Sequence, residues 1–332
     1  MLRRAQTLAL SLAQSFAVSL TLSLAPLAAA AQDWPTKPIR FVVPFAPGGS
    51  SDVVSRSVAQ ELTKQLGQSV FVENKPGGAG TIAMSDVANS APDGHTIILG
   101  HVGVLAVNPY AMKKHPYDVN KAFIPVALLA RVPNILAVHP DVPAKTFKEF
   151  VDYAKKNPGK LNYGSAGNGS AGHLSMEYLK SVAGIFVVHI PYRGTGPQMQ
   201  DMLAGRTEVA MVGAPGMLPH VRTNKLRALA IGATERMKTL PDVPTVAESG
   251  YPGFETSQWY GVLVPAGTPR PIVDRMSVEL TKAARSPDVA QKFAELIDME
   301  ILASSPEAFD AFQKSEQERW FKVIKENDIR GD

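Results

Sequence analysis

Residues 39–67 read IRFVVPFAPGGSSDVVSRSVAQELTKQLG, and residues 161–184 read LNYGSAGNGSAGHLSMEYLKSVAG. In each stretch an apolar strand ends in a turn rich in glycine and serine, and an amphipathic helix follows directly. The first turn of such a helix presents backbone N–H groups that have no partner within the helix, and the helix dipole adds partial positive charge there. The turns at 44–52 and 164–173 are therefore predicted to attract an anion. Together they suggest a site that holds a small carboxylate from two sides.

The rest of the chain continues this alternation of strands and helices. Further strands are predicted at 70–73, 96–100, 134–138, 186–190, 209–212, 226–231 and 259–264. Further helices are predicted up to about 89 and at 146–156, 197–204, 269–285, 287–297 and 306–327. The stretch 102–133 contains four prolines and reads as looser structure. Alternation of this kind predicts an α/β fold with a mostly parallel sheet in each half of the chain and helices outside.

The N-terminus has the pattern of an export signal. Arg3 and Arg4 give a basic start, the segment 8–27 is mostly apolar, and Ala28–Ala31 offers a small-residue cleavage site. A transmembrane anchor is the alternative, but six polar residues interrupt the apolar run and no charge flanks its end. We predict a signal peptide over residues 1–31, cleaved near Ala31, and a soluble mature protein in a periplasm.

Composition excludes several classes of function. The chain carries 34 Lys and Arg against 30 Asp and Glu, and the predicted cleavage removes two arginines and no acid, so the mature net charge is about +2. No dense basic patch with interleaved aromatic residues is present, so the sequence does not indicate nucleic-acid binding. Because the chain has no Cys, it contains neither disulfides nor thiolate chemistry, and its stability depends on its apolar core.

Each glycine-rich loop has competing interpretations. The first, Gly48–Asp52, lacks the lysine and the spacing of a phosphate-binding loop, and a plain structural turn remains open. The second contains Gly167-x-Gly169-x-x-Gly172, a formal match to the dinucleotide fingerprint. The acidic residue that would hold a ribose at the end of the next strand is missing, although Arg193 could accept a 2′-phosphate. An NADP-linked oxidoreductase is therefore the alternative function.

Signatures of catalysis and of metal binding are absent from the sequence. It contains neither a G-x-S-x-G elbow nor an H-E-x-x-H motif, and its histidines do not fall at the spacing of metal ligands on a helix face. We predict no catalytic residue, no metal and no cofactor. His101 closes a strand and His173 opens a helix, so each is a candidate either for ligand binding or for a structural hydrogen bond.

An ordered set of motifs resembles the Bug (TctC-like) family of periplasmic binding proteins of tripartite tricarboxylate transporters. The motifs are Trp34-Pro-x-Lys-Pro38-Ile, Val43-Pro-Phe-x-Pro-Gly-Gly-x-x-Asp52, Glu73-Asn-Lys-Pro-Gly-Gly-x-Gly80, Ala91-Pro-Asp-Gly-His95, Tyr163-Gly-Ser-Ala-Gly-x-Gly-Ser170 with His173, Pro191-Tyr-Arg-Gly194, Leu240-Pro-Asp-Val-Pro-Thr245, Trp259-Tyr-Gly261 and Val264-Pro-Ala-Gly-Thr-Pro269. They cover essentially the whole mature chain in order, which makes the resemblance specific.

The resemblance implies a two-lobed, type II periplasmic binding protein with a ligand cleft between its lobes. Lobe 1 is expected to hold 34–131 and 251–332, and lobe 2 to hold 132–250, with a hinge near Pro133 and Pro252. The function implied is capture of a small carboxylate (a dicarboxylate, tricarboxylate, acidic amino acid or aromatic acid) by a monomer that delivers it to the membrane subunits of the transporter. A ligand-sensing partner of a membrane kinase is a further alternative.

In this interpretation the backbone N–H groups of the two loops hold the carboxylate. The predicted ligand-binding residues are Phe45, Ala46, Pro47, Gly48, Gly49, Ser51, Asp52, His101, Val102, Ser165, Ala166, Gly167, Asn168, Ser170, His173, Tyr192, Arg193, Gly194, Ala214 and Tyr260.

Overall fold

A computed structural model of the chain describes residues 34–112, 116–296, 298–327 and 329. The predicted signal peptide, 1–31, lies outside the described residues. Within those residues, no helix combines the length and the apolar character that crossing a membrane requires.

Two sheets organise the molecule. The strands are β1 (Ile39–Val43), β2 (Val70–Asn74), β3 (Thr96–His101), β4 (Phe123–Val132), β5 (Asn134–Val138), β6 (Asn162–Ser165), β7 (Val188–Pro191), β8 (Val209–Gly213), β9 (Arg227–Ile231), β10 (Gln258–Pro265) and β11 (Glu300–Ile301). The first sheet has the order β11-β4-β10-β3-β1-β2, and the second has the order β7-β6-β8-β5-β9. We call each sheet with its helices a lobe, lobe 1 for the first and lobe 2 for the second.

Helices flank both sheets. They are α1 (Ser50–Leu66), α2 (Thr81–Ala88), α3 (Asn108–Ala111), α4 (Val119–Ala122), α5 (Phe147–Lys156), α6 (Ala171–Ala183), α7 (Thr195–Leu203), α8 (Ala214–Arg222), α9 (Arg270–Ala284), α10 (Pro287–Gln291) and α11 (Pro306–Glu326). A 3₁₀ turn covers Gly78–Gly80, and π-helical turns cover Gly103–Val107 and Lys292–Leu296. The predicted α/β class with two helix-flanked sheets is confirmed.

The sheets are mixed, whereas the sequence predicted mostly parallel ones. β1 is parallel to β2 and β3, and β6 is parallel to β7 and β8. β5 and β10 are each antiparallel to both of their neighbours. These two strands follow the two crossings of the chain between the sheets. A strand that enters its sheet directly from a crossing starts at the edge facing the other lobe. β1 and β6 end at that edge, so β5 and β10 run in the opposite direction to them.

Two elements that the sequence did not predict contain proline. β4 lies in the stretch 102–133, which the sequence predicted to be irregular. Its Pro125 pairs with Leu263 at a register shift. The hydrogen bonding between the strands is irregular there, so a residue without an N–H is tolerated. The helix α8 has a proline in its first turn, where the missing N–H costs no bond, and Pro219 within it. Because of these prolines, the sequence pattern did not predict either element.

Apolar packing holds the helices onto the sheets. In lobe 1, Phe41 of β1 packs in one buried cluster with Val54, Val58 and Leu62, the predicted inner face of α1. In lobe 2, Phe150 of α5 is likewise fully buried. Burial of one such side chain is worth about 1.5–3 kcal/mol, so these faces fix how each helix lies on its sheet.

The two crossings lie side by side. The first is the step from β4 through Pro133 to β5, and the second leads into β10, where Gln258 pairs with Val132. The fully buried Asn134 joins them, since its side chain donates to the carbonyl of Thr256 and accepts a hydrogen bond of 2.7 Å from Gln258 Nε2. The crossings are thus hydrogen-bonded to each other, and we call this connection between the lobes the hinge.

Candidate functional site

A small cavity, of about 30 Å³, lies between the lobes, beside the hinge. Its lining consists of Phe45, Ala46, Gly49, Ser50, Ser51, His101, Ala166, Ser170, Ala171, Gly172, Thr195, Gln198, Val212, Gln258 and Tyr260. Lobe 1 and lobe 2 contribute about equally to this set. Among the described residues that line the cavity, none is Lys, Arg, Asp or Glu. Any anion held there is therefore bound by neutral groups.

Two helices begin at this cavity, one from each lobe. α1 begins at Ser50 after Gly49, whose backbone is extended (φ −97°, ψ 178°), and α6 begins at Ala171 after Ser170, whose hydroxyl caps the helix by accepting the N–H of His173 at 3.4 Å. The N–H groups of the first helical residues have no acceptor within their helix. Two helix N-termini thus direct backbone donors and partial positive charge into one space.

Three glycine N–H groups of the two loops have partners within their own loops. Gly48 N–H donates to Asp52 Oδ2 at 3.2 Å, Gly167 N–H to Ser165 Oγ at 3.1 Å, and Gly169 N–H to His173 Nδ1 at 3.2 Å. These bonds fix the loops in shape. The donors left for an anion therefore include the N–H groups of Gly49 and of the first helical turns, in particular those of Ser50 and Ala171.

Asp52 is an acidic residue close to this anion site, and neighbouring groups balance its negative charge. Its carboxylate accepts hydrogen bonds from Arg56 Nε and Asn74 Nδ2, both at 3.0 Å, and from Gly48 N–H. Burial alone would raise the pKa of Asp52, but these hydrogen bonds outweigh burial and lower it. Asp52 therefore stays ionised and holds the first loop, and Arg56 balances its charge.

His101 supplies a neutral donor to the cavity. It is 2% exposed, and its Nδ1 accepts the N–H of Gly103 at 2.9 Å, which places the ring proton on Nε2. That Nε2 has no hydrogen-bond partner within the part of the chain that the structure describes. Burial lowers the pKa of His101 to about 3, so the ring is uncharged at neutral pH. An unsatisfied buried donor beside a cavity indicates a ligand atom or water at that position.

We expect the stability of the ligand-free protein to fall as pH drops from 7 to 5. The pKa of His101 is about 3 in the folded protein and 6.5 in the unfolded chain, so below pH 6.5 the unfolded state binds a proton that the folded state does not. The contribution of His101 to the free energy of unfolding then decreases by up to about 1.4 kcal/mol per pH unit, and His189, whose pKa is also lowered to about 3, adds to the slope. Urea unfolding at pH 7, 6 and 5 measures this slope. The slope should be smaller in His101→Gln, and an equal slope would contradict the assignment.

A polar network connects the cavity to the hinge. The hydroxyl of Tyr260 donates to Gln258 Oε1, and Gln258 in turn bonds to Asn134. Burial raises the pKa of Tyr260 to about 12, although hydrogen bonds with Ser50 and Ser51 oppose the rise. The phenol is therefore neutral, and it links the start of α1 to the crossing strands.

A wider groove, of about 620 Å³, adjoins the cavity at Phe45 and Ala166. It is lined by Pro44, Phe45, Pro76, Gly77, Gly78, Ala79, Gly80, Ile82, Met112, Ala166, Gly167, Asn168, Pro191, Tyr192 and Arg193. The exposed Arg193 is the charged residue among these described lining residues. A ligand with its carboxylate in the cavity would extend its other end into this groove.

The predicted site residues fall into three groups. The cavity is lined by Phe45, Ala46, Gly49, Ser51, His101, Ala166, Ser170 and Tyr260. The groove is lined by Gly167, Asn168, Tyr192 and Arg193 as well. Pro47, Gly48, Asp52, Val102, Ser165, His173, Gly194 and Ala214 line neither space. Val102 and Ala214 lie in the apolar core, whereas Asp52, Ser165 and His173 bond to the loops. Ligand contact for each residue stays a prediction.

Sequence reasoning missed seven cavity residues: Ser50, Ala171, Gly172, Thr195, Gln198, Val212 and Gln258. The first three lie within the recognised loops and at the starts of their helices, so the helix-start argument could have found them. Thr195 opens α7 directly after the predicted Arg193 and Gly194. The positions of Gln198 and Val212 depend on tertiary packing and left no local signal.

Groups of His, Asp or Glu suited to hold a metal ion are absent from the described residues. A serine hydroxyl and an imidazole lie close together at Ser165 Oγ and His189 Nε2, 2.6 Å apart. That hydroxyl also accepts the N–H of Gly167 and belongs to a buried residue. The pair therefore supports the loop.

Residues 54–329 match the model of a family described as the tripartite tricarboxylate transporter family receptor, TctC. The chain belongs to this family. It is also 35% identical over 297 residues to Protein BugT of Bordetella pertussis, covering 89% of this chain and 91% of that protein. The match agrees with the two-lobed architecture and confirms the Bug (TctC-like) resemblance.

Solved structures of similar proteins have the same fold. Rpa4515 of R. palustris with adipate is 36% identical, with a TM-score of 0.87 over 90% of this chain and 99% of that one. MatC of Rhodopseudomonas palustris with bound malate is 34% identical, with a TM-score of 0.84 over 88% of this chain and 100% of that one. The relatives of this receptor thus include proteins that bind carboxylates.

Proposed function

We propose that this protein is a periplasmic solute receptor that binds a small carboxylate between its lobes and delivers it to the membrane subunits of a tripartite tricarboxylate transporter. The observation that carries the proposal is the cavity where α1 and α6 begin, one from each lobe, with no charged side chain among the described residues that line it. Neutral donors of this kind bind an anion at low desolvation cost and release it when the lobes separate.

Further support comes from relatives that hold adipate and malate. We assign 34–131 and the C-terminal part from 251 to lobe 1, and 132–250 to lobe 2. The packing of Phe254 in the cluster under the second sheet favours placing the later boundary a few residues beyond 251. The receptor acts as a monomer without cofactor, and its export is assigned to the segment 1–31.

The experiment that tests this function is a thermal-shift screen of the mature protein against di- and tricarboxylates, acidic amino acids and aromatic acids. A ligand at 100 times its dissociation constant should add about 2.7 kcal/mol of stability and be recovered chemically unchanged. NADP and NAD belong in the same screen. Stabilisation by a nucleotide alone, or recovery of a converted product, would overturn the proposal in favour of an enzyme.

The groove gives a prediction about ligand length. Because Arg193 lines the groove, a ligand long enough to place a second carboxylate beside Arg193 gains a charge-assisted hydrogen bond. We expect Arg193→Ala to weaken binding of dicarboxylates by about ten-fold and that of matched monocarboxylates much less, as measured by isothermal titration. The exposed Arg206, which pairs with Asp201, gives the control variant Arg206→Ala. Equal effects on both ligand classes would leave Arg193 as a surface residue.

A further inference from the structure

The lobes also touch each other directly at the rim of the cavity, along two short segments. Lobe 1 contributes Ala46–Gly49 and lobe 2 contributes Arg193–Gly196, and we call this contact the closure seam. The N–H of Ala46 donates to the carbonyl of Arg193 at 3.2 Å, a backbone hydrogen bond between the lobes. The two segments thus meet backbone to backbone, as neighbouring strands do.

Glycines make the close approach possible. A Cβ atom added to Gly196 would lie 2.5 Å from the carbonyl oxygen of Pro47, and one added to Gly194 would lie 2.8 Å from the Cβ of Ala46. Contacts under 3.0 Å are too short for real Cβ atoms. In both cases the obstructing atom belongs to the opposite lobe. Side chains at these positions would therefore hold the lobes apart.

Gly196 combines two properties that each of the other seam glycines lacks in part, because Gly48 and Gly194 have a positive φ and Gly49 lines the cavity. The φ of Gly196 lies outside the left-handed range, and it sits in the first turn of α7, so alanine fits its local conformation and has the higher helix propensity. It does not line the cavity. The consequence of a side chain at Gly196 is thus confined to the contact with Pro47 in the closed form.

We propose that the closure seam is the lock of the closed form, and that Gly196 is a positioning residue that sets ligand affinity without touching the ligand. The proposal rests on the function proposed above. A ligand shifts the equilibrium between open and closed lobes only through contacts that exist in one state. The seam is such a contact, and its backbone hydrogen bond stabilises the closed form in addition to the contacts that the ligand makes.

The first test is Gly196→Ala, with Gly184→Ala as the control. Gly184 ends α6 in the same lobe, and a Cβ atom added there would meet none of the described residues beyond its own chain neighbourhood within 4 Å, so alanine strains the backbone without obstructing closure. For Gly196→Ala we expect a ligand-free melting temperature equal to or above native. We also expect about ten-fold weaker binding of the best acid from the screen and less ligand-induced compaction in small-angle scattering. Native affinity in this variant would overturn the lock.

The second test needs no ligand. Because the chain has no Cys, a double variant Ala46→Cys with Gly194→Cys introduces one possible disulfide across the seam. The Cβ separation of 2.8 Å is about 1 Å below the usual value for a disulfide, and the φ of +152° at Gly194 strains any side chain, so the bridge would form with the lobes slightly apart and the backbone at residue 194 relaxed. Mild oxidation should give an intramolecular crosslink and a smaller radius of gyration, both reversed by reductant. The pair Ala46→Cys with Gly184→Cys should not crosslink.

The two tests separate the lock from the function. A native protein that binds none of the acids, combined with a double variant that crosslinks, would overturn the proposed carboxylate receptor and leave the lock supported. Failure of the folded double variant to crosslink would overturn the lock, whatever the native protein binds.

Discussion

Gly49→Val is expected to abolish carboxylate binding. Gly49 lines the cavity directly before α1, and a Cβ atom there would lie 2.9 Å from Thr195 Oγ1 in the opposite lobe. Its φ of −97° suits any residue, so the effect comes from space and not from backbone strain. A branched side chain would press against Thr195 at the start of α7, fill part of the cavity and hold the lobes apart. We expect a loss of affinity of at least about 100-fold, which corresponds to about 3 kcal/mol.

A graded series tests this explanation by isothermal titration. Gly49→Ala should lie between native and Gly49→Val, because a methyl group fills part of the same space. Gly48→Ala is the comparison for strain, since Gly48 has a φ of +94° and does not line the cavity. Its main expected effect is on the stability of the ligand-free protein. Normal binding by Gly49→Val would show that the carboxylate lies elsewhere.

The pattern of apolar residues was enough to predict most of the elements that position the site. The strand–turn–helix units around α1 and α6 have strong local signals, namely an apolar strand, a glycine-rich turn and a spacing of three to four residues. β5 has the predicted bounds 134–138. The pattern of apolar residues could not predict the direction of β5 and β10, because that direction results from the chain entering each sheet directly from the other lobe.

The sequence also could not predict which backbone N–H groups are available to bind an anion. Glycine loops suggest free N–H groups, yet side chains of Asp52, Ser165 and His173 accept those of Gly48, Gly167 and Gly169. Each acceptor lies within four residues of its glycine, but the same residue types also occur as plain helix caps. The contact between Gly196 and Pro47 joins segments far apart in the chain, so only the folded structure reveals it.

The assignment of the anion donors leads to a second large effect, that of Ala171→Pro. Proline lacks the N–H, and the first helical position is where a helix tolerates it best. The preceding Ser170 has φ −69° and ψ 156°, the extended conformation that a residue before proline requires. The variant should therefore keep α6 and its serine cap while removing one donor from the cavity.

Loss of a hydrogen bond to a charged carboxylate costs about 1.5–3 kcal/mol, so the affinity of Ala171→Pro should fall about 10- to 150-fold. Ala171 is only 7% exposed, so the added bulk needs its own control. Ala171→Val has a similar volume and retains the N–H, and it should bind much more tightly than the proline variant. Circular dichroism confirms that both variants fold. If Ala171→Pro binds as well as Ala171→Val, the Ala171 N–H does not donate to the ligand, and the donors on the α1 side, the N–H groups of Gly49 and Ser50, must hold the carboxylate.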